Sequence, residues 1–225
     1  MSEPAKTTLP TIAILGGTGK EGPGLALRWA YAGYPVLIGS RQAEKAQAVA
    51  AELNAALGFD AVRGLENGEA ARQADICVLT IVQAAHQAAL EGLREDLAGK
   101  IVVDATARVD FRNPLPPAPP AAARIAQDIL GPAARVVAAF QNVPAHTLKK
   151  DSQQPLDAHV LVCADDQQAA AQVIELARAA GMLAYYAGGL DNAVVVEGLT
   201  SILISLNKHY GVKTASISIS GLQGA

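Results

Sequence analysis

A glycine-rich turn sits directly behind the first β-rich run of this chain, and it restricts the fold more than any other feature. Residues 17–22 read Gly17-Thr18-Gly19-Lys20-Glu21-Gly22 and follow the apolar run 11–15. G-x-G-x-x-G between a strand and a helix marks a βαβ unit built around an anion. Gly17 permits the tight turn. Gly19 removes a side chain from the path of a pyrophosphate, and Gly22 lets helix and strand pack closely. The N–H groups from Thr18 through Lys20 to Glu21 then face an anion at the positive end of the helix. A plain strand-to-helix glycine turn is the alternative for the same residues.

The pattern that follows repeats this unit. A helix is predicted over 20–32 with Gly33 behind it, then a strand over 35–39, and a long Ala-rich helix over 41–57 closed by Gly58. A third strand over 60–64, a short helix over 66–73 and a fourth strand over 75–81 come next, then a helix over 84–97 and a fifth strand over 100–104. Strands alternating with helices require parallel pairing and right-handed crossovers, which give a doubly wound, mostly parallel α/β sheet of Rossmann type. Only 4% of the 225 residues are aromatic while 51% are hydrophobic, so the core is built from Ala, Val, Ile and Leu, as buried parallel sheets require. Five prolines in 112–123 exclude helix and central strand there, and an extended surface loop is expected. Further strands are expected at 135–140, 159–163 and 182–187, the last as a buried strand, with helices at 166–181 and 192–209 and a strand-like Ser/Ile alternation at 211–221. The expected division is a tail at 1–10, a nucleotide-binding core at 11–110, and a part at 111–225 that completes the same sheet and forms the substrate side.

The end of the second strand selects the nucleotide. NAD sites carry Asp or Glu there, to hold the ribose hydroxyls. This chain has Gly39-Ser40-Arg41, with Lys45 four residues on. A carboxylate would repel a 2′-phosphate, whereas Ser40 and the Arg41 guanidinium can donate to one. With the helix begun at 41, Lys45 shares its face with Arg41, so both cations reach one phosphate. NADP(H) is therefore expected. Thr80-Ile81-Val82 at the end of the fourth strand should line the nicotinamide ribose, next to the switch point of the sheet. Asp104-Ala105-Thr106 should sit on the same rim.

Other classes are disfavoured. The net charge is −3 with no Lys/Arg run, so a nucleic-acid partner is not expected. The two cysteines, Cys77 and Cys163, have no metal-ligand spacing and read as buried reduced thiols. The longest apolar run, near 193–206, is interrupted by Glu197, Thr200 and Ser201, so no membrane span is expected and a cytoplasmic location is the default. Its helix has little polar face, which predicts burial in a homodimer or higher homo-oligomer, or under the terminal strand.

The runs Ile14-Leu15-Gly16-Gly17-Thr18-Gly19 and Gly39-Ser40-Arg41, with Glu44-Lys45-Ala46, resemble the NADPH-dependent reductases of coenzyme F-420. The likeness continues through Val78-Leu79-Thr80-Ile81, Val143-Pro144-Ala145, Val162-Cys163-Ala164-Asp165-Asp166 and Val196-Glu197-Gly198-Leu199-Thr200 to Gly211, and so covers nearly the whole chain. The resemblance implies an oxidoreductase that passes a hydride between NADP(H) and an 8-hydroxy-5-deazaflavin. It implies that Gly17 to Gly22, Ser40, Arg41, Lys45, Thr80, Ile81, Val82, Ala107 and Ala145 hold the nucleotide. It also implies that Gln141, Asn142, Val143, Pro144 and Ala215 flank the deazaflavin. The chain departs from the family where Val82-Gln83 replaces Pro-Trp, where Gln141-Asn142-Val143 replaces His-Thr-Ile, and where Asp104, Thr106 and Arg108 occupy an otherwise apolar loop.

Hydride transfer between two rings needs stacking at about 3–3.5 Å rather than a catalytic side chain, and no Ser/His/Asp or Tyr/Lys set is present. Two alternatives stay open from the residues. One is an NADPH-dependent reductase of a small ketone, imine or conventional flavin, for which Asp104, Arg108 and His146 are the candidate proton donors. The other is a nucleotide-binding sensor without turnover. His86 is expected on a helix surface, and His159 and His209 are expected to be structural or solvated. Asp166 is expected to cap a helix.

Overall fold

The computed structural model describes residues 9–222. Within them eight strands form one sheet: β1 (Ile12–Leu15), β2 (Val36–Ser40), β3 (Val62–Glu66), β4 (Ile76–Leu79), β5 (Ile101–Asp104), β6 (Arg135–Ala138), β7 (His159–Ala164) and β8 (Leu183–Tyr186). Their order across the sheet is β3-β2-β1-β4-β5-β6-β7-β8. All neighbours run parallel except β6 and β7, which pair antiparallel, so the fold is the expected mostly parallel α/β sheet extended by the second half of the chain. The switch point lies between β1 and β4, where successive crossovers leave in opposite directions.

The helices are α1 (Gly22–Tyr31), α2 (Ala43–Leu57), α3 (Asn67–Gln73), α4 (Gln83–Leu93), α5 (Ala122–Leu130), α6 (Ala145–Leu148), α7 (Gln167–Ala179) and α8 (Ala193–Tyr210). They cover both faces. Along β1 the side chains alternate: Ile12 and Ile14 join the core beneath α1, α2 and α7, while Ala13 and Leu15 join the core beneath α3, α4, α5 and α8. Burial on both faces is why β1 reads as an unbroken apolar run. Trp29 anchors α1 on the first face, donating from Nε1 to Leu176 O at 2.8 Å and meeting Phe140 edge-on at 5.9 Å. Its neighbour Arg28, only 2% exposed, spreads its guanidinium over Leu148 O, Gln154 O, Ala180 O and Lys150 O. That cation ties the loop after α6 to α1 and to the end of α7, and the fan of carbonyls replaces the carboxylate a buried charge would otherwise need.

Several local expectations are corrected. The segment 211–221 forms no strand; it docks on β7 instead, where His159 N donates to Ile217 O and Ile219 N donates to His159 Nδ1, both at 2.8 Å. β8 is an edge strand buried only in its middle: Ala184 and Tyr185 are 2% and 9% exposed, while Leu183 and Tyr186 at its ends are 50% and 44% exposed. A helix not expected from the sequence, α5, follows the proline loop, and its first two residues, Ala122 and Ala123, fall within the expected loop 112–123. The tail at 1–8 lies outside the described residues. Both cysteines are free and buried, and burial pushes the Cys77 thiol up to about 12 and the Cys163 thiol up to about 11. Asp166 caps α7 as expected, accepting from Gln168 N and Ala169 N.

Candidate functional site

A cavity of about 830 Å³ opens at the carboxyl ends of β1, β2 and β4. Its first wall is the glycine turn, with Gly16, Thr18 and Gly19. A Cβ added to Gly19 would meet nothing nearer than Gly16 O at 3.8 Å, so the backbone there faces open space. Gly17 and Gly22 work from behind. A Cβ on Gly22 would lie 2.5 Å from Gly17 O, and one on Gly17 would lie 2.6 Å from Ile14 O, so only glycine lets α1 start this close to β1. Lys20, Glu21 and Gly22 do not line the cavity. Glu21 is the N-cap residue of α1, but its side chain makes no capping bond and its Oε1 is buried without a partner. Burial pushes that carboxyl up to about 8.

The second wall is the end of β2. Ser40 accepts from Gln42 N at 3.2 Å, which leaves its own proton free to be donated. Arg41 and Lys45 line the same wall, and neither pairs with a carboxylate within 4 Å among the described residues. Arg41 precedes α2, which starts at Ala43, so the two cations converge across the helix start rather than along one helix face. Two residues on this wall had no place in the sequence reading. Asn67 accepts from Gly16 N at 3.1 Å and so braces the glycine turn; Glu66 caps α3 by accepting from Gly68 N at 2.8 Å. Both lie at the start of the expected helix 66–73, where nothing in the sequence marks a bond back to the glycine turn.

The third wall is Thr80, Ile81 and Val82 at the end of β4, followed by small residues of α4 such as Ala85 and Ala89. Thr80 is tied to the switch point by donating from N to Leu15 O at 3.0 Å.

The residues expected on the substrate side, and Ala107 and Ala145, which were expected at the nucleotide, do not line this cavity. Gln141 and Asn142 are buried at the end of β6, in a network with β5 and α8. Val143 is buried, while Pro144 and Ala145 are half-buried at the start of α6. Ala107 is half-buried beyond β5, and Ala215 donates from N to Asn207 Oδ1 at 3.0 Å. The three candidate proton donors are placed differently from one another. His146 is exposed. Arg108 is bound to Glu197 of α8, with Nε 2.7 Å from Oε1. Asp104, with no exposed surface, lies 2.7 Å from His86 Nε2 through its Oδ2. His86 is therefore not the surface residue expected: it is 6% exposed and faces β5. Burial pulls its imidazole pKa down, but the bond to Asp104, the Asp104 charge and Glu197 outweigh burial and Arg108, and hold it above the ordinary histidine value. No cluster of three metal-ligating side chains exists among the described residues.

The family model described as NADP oxidoreductase coenzyme F420-dependent matches residues 11–108. An F420-dependent NADP reductase of Methanothermobacter thermautotrophicus is 38% identical over 227 residues, covering 96% of this chain and 97% of the relative. One from Methanocaldococcus jannaschii is 39% identical over 223 residues, covering 94% and 99%. A crystal structure from Arthrobacter, of a protein assigned as an F420 dependent NADP-reductase, superposes with a TM-score of 0.78 at 28% identity, covering 95% of this chain and all of the other.

Proposed function

The chain belongs to the coenzyme F-420-dependent NADP oxidoreductase family, and from that premise we propose that it transfers a hydride between NADP(H) and coenzyme F-420. The observation that carries this reading is the pair of cations with no carboxylate partner among the described residues, Arg41 and Lys45, beside the Ser40 hydroxyl on the wall of the switch-point cavity. These three side chains hold the 2′-phosphate of NADP(H), and the backbone of Thr18 and Gly19 meets the pyrophosphate. Thr80, Ile81 and Val82 line the path toward the nicotinamide, with Ala107 and Ala145 at its far end. The nicotinamide supplies or accepts the hydride when bound. Around it the protein contributes orientation and exclusion of water. Gln141 and Asn142 bind the polar edge of the deazaflavin, and Val143, Pro144 and Ala215 give it an apolar flank. The part before residue 110 thus serves mainly the nucleotide, and the part after it, apart from Ala145, the acceptor.

A second copy of the chain covers the outer stripe of α8. Val195, Ile202, Leu206 and Tyr210 are 66%, 55%, 40% and 69% exposed, share one helix face with Leu199, and carry no charge. An 18-residue window within 190–210 has a mean hydropathy of 1.2 and the length to cross a membrane, but Glu197 within the helix is buried against Arg108, and helix-to-helix pairing of two copies accounts for the stripe. Light scattering that returned a monomer would exclude the dimer. The two free cysteines suit a reducing, cytoplasmic setting.

The test is direct. NADPH and coenzyme F-420 mixed with the protein should lose the visible deazaflavin band as NADPH is consumed one for one. No bleaching at micromolar enzyme overturns the proposal, and bleaching of an ordinary flavin instead would reassign the acceptor. Arg41→Ala should weaken NADPH by about 1.5–3 kcal/mol, roughly 10- to 150-fold, while barely changing NADH. Equal weakening of both nucleotides would remove the phosphate pocket.

A further inference from the structure

Asn67, the first residue of α3, lines the switch-point cavity although the residue is only 7% exposed. Its side chain reaches across the ends of two strands. On one side its Oδ1 accepts from Gly16 N at 3.1 Å, at the start of the glycine turn, across 51 positions of sequence. On the other side it lies against the end of β2. A Cβ added to Gly39 would come within 2.7 Å of the same Oδ1, so the glycine before Ser40 is what leaves room for this amide. The two ends are also joined directly, by Gly17 N donating to Gly39 O at 2.9 Å.

The bond to Gly16 fixes which way the amide points. A backbone N–H can only donate, so the oxygen faces Gly16 and the nitrogen is the end left over. Nδ2 makes no hydrogen bond to the protein among the described residues, yet it does not belong to the sealed polar atoms without a partner, so it keeps accessible surface. Because the residue is otherwise buried and forms part of the cavity lining, that surface is cavity wall. A donor held in one orientation by a committed oxygen, and left open on a cavity, is completed by an acceptor from a ligand.

The position of Asn67 identifies the acceptor. The glycine turn on one side meets the pyrophosphate, and Ser40, Arg41 and Lys45 on the other hold the 2′-phosphate. Ser40 is in register with Glu66, directly before Asn67. The part of NADP(H) that lies between those two anions is the adenosine ribose. With its 2′-oxygen esterified, its one free hydroxyl is at C3′. We propose that Asn67 Nδ2 donates to the 3′-hydroxyl oxygen of this ribose, so that a single amide braces the glycine turn through its oxygen and seats the sugar through its nitrogen. This rests on the NADP(H) reading proposed above. Asn67 is then a specificity residue for the sugar, beside the two cations that read its phosphate.

The test uses adenosine 2′,5′-bisphosphate and its 3′-deoxy analogue, which differ only in that hydroxyl and carry no nicotinamide. Their dissociation constants are measured by calorimetry, with NADPH titrated in parallel. The native protein should bind the parent compound at least about fivefold tighter than the analogue, equivalent to ~1 kcal/mol. Asn67→Ala removes the brace and the donor together, so both compounds should weaken while their ratio falls to about 1.5 or less. The ratio is taken within one protein, so the loss of the brace cancels from it. Asn67→Ser, whose short hydroxyl suits a helix start but does not span the same distance, is the second variant and should show the same collapse. A native ratio near one, with NADPH binding intact, overturns the proposal and leaves the function standing. A native ratio that survives in the variants overturns it too, assigning the hydroxyl to a neighbour such as Glu66, which lines the same wall. Failure of the native protein to bind either the bisphosphate or NADPH overturns the proposal and the NADP(H) reading together.

Discussion

The two rims of this sheet are built by opposite strategies. At the ends of β1, β2 and β4 the polar groups are left facing an open cavity: Arg41 and Lys45 have no carboxylate partner among the described residues, and Gly19 clears the backbone. At the ends of β5 and β6 the polar groups are buried and interlocked, in the pairs His86–Asp104 and Arg108–Glu197 and in the Gln141–Asn142–Thr200 network. An anion the size of a dinucleotide is recognised by charges that wait for it, because exposed cations stay solvated until a phosphate displaces the water. A neutral ring is recognised by dipoles that cannot turn away, and fixing dipoles requires partners on every other side.

The sharpest way to break this comparison is to remove Glu197. Its carboxylate is 2% exposed and accepts from Arg108 N and Nε at 2.7 Å, from Arg108 Nη2 at 3.2 Å and from Ala122 N at 2.9 Å. Glu197→Ala strands a guanidinium and a helix-start N–H together, which should cost about 3–5 kcal/mol and lower Tm by roughly 10 °C in a thermal melt. A change of about 1 kcal/mol or less would show that the β5–β6 rim is solvated, like the other one. The matching lesion on the nucleotide rim is Gly22→Ala. The new Cβ would meet backbone atoms of Gly17 at 2.5–2.8 Å, which cannot swing aside. Destabilisation of about 1–3 kcal/mol is expected, with NADPH affinity down more than about tenfold in a fluorescence titration. Unchanged affinity would mean that the turn tolerates a wider spacing of α1 and β1.

The same contrast decides what the sequence revealed. The nucleotide rim was legible because its residues lie close together along the chain. Gly17 to Gly22 and Ser40 to Lys45 each form one short stretch, although Lys20, Glu21 and Gly22 do not line the cavity and Arg41 lies before the helix that carries Lys45. The other rim was not, because its pairs are assembled by the sheet. Arg108 meets Glu197 across 89 positions, and His86 meets Asp104 only because α4 folds back over β5. A helix histidine among alanines gives no sign that a carboxylate will arrive opposite it. Periodicity also could not separate the Ser/Ile alternation of 211–221 from a strand, since what holds that segment is the His159 imidazole rather than a ladder.

Titration also distinguishes Glu21 at the glycine turn from His86 at β5. Glu21, beside the glycine turn, titrates at 4.5 in the unfolded chain and at about 8 when folded, because burial penalises its charge. The folded protein keeps a proton there that the unfolded chain gives up, so this contribution to stability is complete below about 4.5 and is lost as pH rises toward about 8. His86 is also raised, from its ordinary 6.5, but through its bond to Asp104 and the nearby carboxylate charges overcoming burial; its contribution is complete below 6.5 and fades only above that. Glu21→Gln, which holds a neutral side chain of the same shape, should therefore flatten a Tm profile from about pH 5 up to about 8, whereas His86→Gln should leave it unchanged below about 6.5 and flatten only the part above. Identical changes in both variants would mean that the two groups share one environment, and the distinction drawn between them would fail.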